Sequence, residues 1–134
     1  MAIDYGTKRT GLAVSDPLQI IASGLETVST PLLFDYLADY FSHEEVEAVV
    51  VGDPKHLDGQ PAQIAHLVSG FVNELRKRYP LKEIITWDER FTSEEAKRVI
   101  RESGARQKKR RDKALVDKVS AVLILQDYME SRKW

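Results

Sequence analysis

Asp4, Glu89 and Asp117 are the side chains in this sequence whose placement invites chemistry. Asp4 closes a short apolar run just before a glycine turn, and Glu89 follows a β-rich run that ends at Trp87. Asp117 sits among Leu115, Val116, Val119, Ala121 and Val122 in a largely apolar helical pattern. A charge in such company is costly unless it is paired, hydrated or bound to a metal. Carboxylates brought together repel one another, and a divalent cation relieves that repulsion. Oxygen donors without cysteine or paired histidine suit Mg2+ or Mn2+ rather than zinc. Two such ions ~4 Å apart activate water and stabilise the leaving oxygen of a phosphodiester. Each acid also has a plainer reading. Asp4 fits a solvated hairpin end. Glu89 fits a pair with Arg90, or a place near a helix start where negative charge is favoured. Asp117 fits a pair with Lys113 or Lys118.

The basic residues suggest what such carboxylates would act on. Lys8 and Arg9 form the tip of the turn after Asp4 and would hold a phosphate. Arg106, Lys108, Lys109, Arg110, Arg111 and Lys113 directly precede the helix that carries Asp117. This run is either a solvated charge cluster or an arm that grips phosphates. It has no interleaved aromatics, so contact would be with the backbone of a nucleic acid and not by base stacking. Arg76, Lys77, Arg78 and Lys82 form a further group, while acids concentrate over residues 35–58. The histidines add little: His43 fits a helix end, His56 a loop near the site edge and His66 a helix surface.

The elements that must position these groups follow from the apolar pattern. Ala2–Asp4 reads as a strand, Gly6 supplies the positive backbone angle of a turn, and Leu12 and Val14 resume a period of two. A third strand runs from Ile20 to Ser29, antiparallel to the second across an Asp16-Pro17 turn. Thr30 is expected to cap a helix with Pro31 at its first position and Leu33, Tyr36, Leu37 and Tyr40 on its apolar stripe. Val46–Gly52 is β-branched throughout, as in a strand covered on both faces. A helix over 61–79 turns Ile64, Leu67, Val68, Phe71, Val72 and Leu75 inward, and Pro80 stops it. Glu83–Trp87 is the next strand. Thr92 with Glu95 forms a capping box for a helix ending at Gly104, and a last helix runs from about Lys113 to Arg132. Three strands in a meander, then alternating helices and strands, give an α/β fold: a mixed five-stranded sheet with helices on both faces. Ligands gather at the carboxyl ends of parallel strands in such sheets, which is where Asp4 and Glu89 fall. Small Ser120 and Ala121 let the last helix come close.

The bulk composition narrows the classes. The chain has 134 residues, no cysteine, 43% hydrophobic and 31% charged residues and a formal net charge of −1. One domain over 1–134 is expected at this size, and disulfides, thiolate nucleophiles and cysteine-ligated zinc are excluded. No apolar run approaches the ~20 residues of a membrane span, and no signal peptide is visible, so a cytoplasmic location without membrane contact is expected.

The motifs resemble a known family. Ile3-Asp4-Tyr5-Gly6-Thr7-Lys8-Arg9-Thr10-Gly11-Leu12-Ala13 resembles the opening motif of the YqgF family. Val51-Gly52-Asp53-Pro54 with Asp58-Gly59, Asp88-Glu89-Arg90-Phe91-Thr92-Ser93 and Asp117-Lys118-Val119-Ser120-Ala121 resemble its later motifs, in the right order. The family comprises proteins similar to Holliday junction resolvases, also described as pre-16S rRNA nucleases. The resemblance implies a ribonuclease H-like fold and a divalent-metal nuclease (Mg2+ or Mn2+) that processes pre-rRNA 5′ ends or cuts branched DNA. It maps the acidic positions of the family onto Asp4, Glu89 and Asp117, both as catalytic residues and as metal ligands. Lys8, Arg9, Arg90, Lys108, Lys109, Arg110 and Arg111 are then the expected nucleic-acid contacts, on a monomer or weak homodimer. The sequence departs from the family pattern in three places: few residues precede Asp4, Asp53 replaces an apolar residue before the proline, and Ser120 replaces alanine. Two alternatives remain: a nucleic-acid-binding module without catalysis, and an ATPase, since Asp4–Thr7 also resembles the phosphate loop of actin-like and sugar kinases. The latter use two such domains.

Overall fold

The computed structural model of the chain describes residues 1–54, 62–88 and 113–132. Five strands, β1 (Ala2–Asp4), β2 (Arg9–Ser15), β3 (Ala22–Ser29), β4 (Ala48–Asp53) and β5 (Glu83–Asp88), form one sheet in the order β3-β2-β1-β4-β5. The first three make the expected antiparallel meander, and β1, β4 and β5 run parallel. Helices α1 (Leu33–His43) and α2 (Ala62–Arg78) belong to one face, and α3 (Lys113–Ser131) covers the other. This is the α/β, ribonuclease H-like arrangement that the sequence implies.

Strand alternation divides the core. Ile3, Leu12, Val49 and Val51 point toward α1 and α2, where Leu33, Leu37, Phe71 and Leu75 meet them. Ala2, Ala13 and Val50 point the other way and receive Ala121, Ile124 and Leu125 of α3. The alanines on the α3 side make that layer thin, and the small Ser120 and Ala121 are both buried in it. Val49, Val50 and Val51 are fully buried, as a strand covered on both faces requires.

The lead-in to Asp4 is short, yet β1 is the central strand. It pairs with β2 on one side and β4 on the other, Ala2 and Ile3 are fully buried, and the Met1 amino group donates to the Ala48 carbonyl at 3.0 Å. The central strand is thus held from both sides.

Four local expectations are corrected. β3 starts at Ala22 and not at Ile20, because the Asp16 carboxylate captures the backbone N–H groups of Ile20 and Ile21, each at 2.7 Å, and Gln19 adopts a φ of 57°. Thr30 does not cap α1. Residues Thr30–Leu32 form a 3-10 turn, α1 begins at Leu33 without a side-chain cap, and the Thr30 hydroxyl is engaged elsewhere. Leu67 lies on the flank of α2 and is exposed, whereas Val68, Phe71, Val72 and Leu75 are buried. Gly6 does not take the left-handed angle expected of it. It is needed for closeness, since a β-carbon there would run into the Arg9 carbonyl. His56 and its expected loop, the expected helix with its Thr92 cap, Glu89, Arg90 and the basic stretch up to residue 112 lie outside the described residues.

Candidate active site

The site is built where three parallel strands end. Asp4 closes β1, Asp53 closes β4 and Asp88 closes β5. Alternation then sorts them. Asp4 falls on the side of Ala2, facing α3, whereas Asp53 and Asp88, register partners of each other, fall on the sides of Val51 and Ile84, facing α1 and α2. Asp4 therefore shares its face with α3, and Asp53 does not.

Asp117 reaches that face through Gly11. In the β1–β2 ladder Gly11 is the register partner of Asp4. A β-carbon on Gly11 would overlap the backbone carbonyl of Asp117. One glycine thus sits beside Asp4 in the sheet and beneath Asp117 in the helix. It brings two carboxylate-bearing residues, 113 positions apart in sequence, to the same side of the same strand end. Both side chains are half-buried.

Arg9 and Gly11 alternate onto the α3 side of β2 with Ala13. The Arg9 guanidinium donates from Nε to Oδ2 of Asp117 at 3.1 Å, a pair of partly exposed side chains. Lys8, one residue earlier, is exposed at the tip. Asp117 thus pairs with Arg9, a partner that neither plain sequence reading of Asp117 named.

The opposite face of the turn is fastened by threonines. Thr10 is fully buried, and its hydroxyl lies 3.0 Å from that of Thr30. Thr30 donates its own proton to the Gly6 carbonyl at 2.6 Å, so Thr10 is the donor to Thr30. The Thr30 amide donates to the Lys8 carbonyl at 3.0 Å. This chain ties both sides of the Gly6–Arg9 turn to the end of β3. Sequence reasoning missed Thr10, Gly11 and Thr30 as site residues. The one visible signal was a polar, β-branched Thr10 at a position that alternation assigns to the core.

The other basic group is spent structurally at the far end of the sheet. Arg76 donates from Nη2 to the Ile84 carbonyl at 3.0 Å, Lys82 donates to the Val46 carbonyl at 2.6 Å, and Arg78 pairs with Glu74 and stacks over Phe34. Trp87 packs edge-on against Tyr128 on the α3 side, with ring centroids 5.9 Å apart. Among the described residues no three acids or histidines gather into a metal-holding cluster, and no helix is long and apolar enough to cross a membrane.

Comparisons with known proteins place the chain in a family. The family described as "RuvX: Holliday junction resolvase" matches residues 1–131. A protein of Flavobacterium johnsoniae named "Putative pre-16S rRNA nuclease" is 48% identical over 134 residues, covering 100% of this chain and 97% of its own length. Proteins with the same name from Christiangramia forsetii and Porphyromonas gingivalis are each 50% identical, over 129 and 131 residues. These alignments cover 96% and 98% of this chain and 96% and 95% of the relatives. With matches over its whole length at this identity, the chain belongs to the RuvX family of Holliday junction resolvases.

Proposed function

We propose that this protein is a divalent-metal-dependent nuclease that hydrolyses phosphodiester bonds, processing the 5′ end of pre-16S rRNA in the cytoplasm during ribosome biogenesis. The observation that carries the reading is the Asp4–Gly11–Asp117 contact, which sets two carboxylates on one face beside a basic turn. The names of the relatives supply the substrate.

The donor set fits Mg2+ or Mn2+: hard carboxylate oxygens, in a chain with no cysteine. Asp4, Glu89 and Asp117 would hold the metal, with Asp4 the central ligand. Trp87, two positions before Glu89 in the sequence, faces α3. A bound ion would offset the carboxylate charges and supply Lewis acidity toward the phosphate. Lys8 and Arg9 would orient the phosphate from the β1–β2 turn. Arg90, Lys108, Lys109, Arg110 and Arg111 belong to the segment between β5 and α3, whose described flanks both lie at the site edge, and would track the strand on either side. Trimming one RNA end needs a single copy of the chain, so a monomer or weak homodimer suffices.

A second reading, cleavage of branched DNA, is favoured by the family description. One experiment separates the readings: cleavage of pre-16S rRNA and of a four-way DNA junction, assayed in parallel with Mn2+, Mg2+ or chelator, for wild type and Asp4→Asn. The expected result is metal-dependent cleavage of the RNA that is lost in a folded Asp4→Asn. Junction cleavage alone favours the second reading. Undiminished cleavage by Asp4→Asn sinks the site, and tight binding without cleavage of either substrate points to a docking module.

A further inference from the structure

We infer that Arg9 is a positioning residue that couples the metal site to the substrate phosphate, fixing the Asp117 carboxylate through Nε while the rest of its guanidinium fork faces the incoming strand. The inference rests on the proposed role of Asp117 as a ligand.

Three observations converge on it. Alternation along β2 sends Arg9 to the α3 side with Gly11, so its path to Asp117 is set by the sheet. The single contact runs from Nε to Oδ2 at 3.1 Å. A guanidinium carries five N–H donors in a rigid plane, and one of them is on Asp117. The turn that carries Arg9 is tied down by the Thr10–Thr30–Gly6 chain on the opposite face. A fork held in this way acts on two acceptors at once, a carboxylate on one edge and a phosphate on the other, which is the geometry arginine supplies and lysine does not.

The chemistry gives the pair a second consequence. Asp4 and Asp117 share one face, and their mutual repulsion opposes assembly of the site. The Arg9 cation, paired with Asp117, offsets one of those charges. A carboxylate has two oxygens and about four lone pairs, so a contact at Oδ2 is compatible with metal ligation. Hydrogen-bond partners of ligating carboxylates typically contribute about 10–100-fold in metal affinity.

The test is Mn2+ binding by titration calorimetry, without nucleic acid, for wild type, Arg9→Gln, Arg9→Lys, Asp4→Asn and Asp117→Asn, with urea midpoints to establish folding. Arg9→Gln is expected to weaken Mn2+ binding about 10–100-fold, and Arg9→Lys to recover only part of that loss. The same variants should raise KM for RNA at saturating Mn2+. Wild-type or tighter Mn2+ binding in Arg9→Gln overturns the inference, because Arg9 would then be a bystander or a competitor for Asp117. Full recovery in Arg9→Lys overturns the role of the fork and leaves only charge. Wild-type Mn2+ binding in both Asp4→Asn and Asp117→Asn overturns the metal site itself and this inference with it, an outcome distinct from the failure of Arg9 alone.

Discussion

Gly11 and Asp117 approach each other so closely that a β-carbon on the glycine would overlap the carbonyl group of the aspartate. The contact is backbone to backbone, so no side-chain rotation relieves it. Gly11→Ala must lift the first turns of α3 off the sheet, or distort β2 beneath it. Overpacking of this kind costs about 1–3 kcal/mol, and here the displaced residue carries a candidate ligand. We expect Gly11→Ala to lower the urea midpoint by that amount and to weaken Mn2+ binding further than the stability loss explains. A variant with wild-type stability and affinity would show that α3 does not depend on the glycine for its position.

The threonine chain makes a separate prediction. Thr10→Val and Thr30→Val each remove a hydroxyl of similar shape. Losing one buried hydrogen bond costs about 1 kcal/mol, and more where a partner is left unsatisfied. Thr30→Val deprives the Gly6 carbonyl of its donor and Thr10 of its acceptor, so it should be the more costly change. The double variant should cost less than the sum, since both changes act on one chain. Chemical denaturation of the four proteins checks this, and strict additivity would show that the two hydroxyls act independently.

Asp4 and Asp117 were legible in the sequence because a carboxylate in an apolar pattern conflicts with burial. The five strands were legible because alternation and β-branched runs are local. Gly11 was not, because its role depends on a helix more than 100 positions away. Thr30 fits the local rule for a helix cap, but a tertiary partner, the Gly6 carbonyl, took the hydroxyl. Ile20 and Ile21 have strand-forming side chains, yet their amides turn toward Asp16 and their side chains stay exposed. In each case a contact from outside the segment overrode a local preference.

That capture by Asp16 predicts a pH effect. Hydrogen bonds, first from the Ile21 amide and then from Ile20, hold the Asp16 carboxyl below the usual carboxylate range, against a smaller opposing effect of desolvation. The folded state therefore favours the ionised form more than the unfolded chain does. The resulting stability is fully present above the unfolded pKa of ~3.9 and is lost as pH falls through the lower folded value. Asp16→Asn should be less stable than wild type at pH 7, and the gap should close as pH falls below the ordinary aspartate range. Urea midpoints across this span measure it. A gap that stays constant with pH would assign the effect to shape and not to charge.

Lys8 and Lys82 form the sharpest contrast among the basic residues. Lys8 is exposed at the tip of a fastened turn beside Arg9, whereas the Lys82 ammonium donates to the Val46 carbonyl at 2.6 Å and lies over the Phe41 ring. If RNA binds across the Asp4 end of the sheet, only Lys8 meets phosphates. Each neutralised phosphate contributes about 0.7 to the slope of log affinity against log salt for a single strand. Lys8→Ala should weaken RNA binding and flatten that slope by about one such step, with little change in stability. Lys82→Ala should leave the slope unchanged and lower stability by about 1 kcal/mol through the lost hydrogen bond. Filter-binding titrations across a salt series, paired with denaturation curves, read both effects. A Lys82→Ala variant that flattens the slope while Lys8→Ala does not would place the RNA at the opposite end of the sheet, away from Asp4 and Asp117.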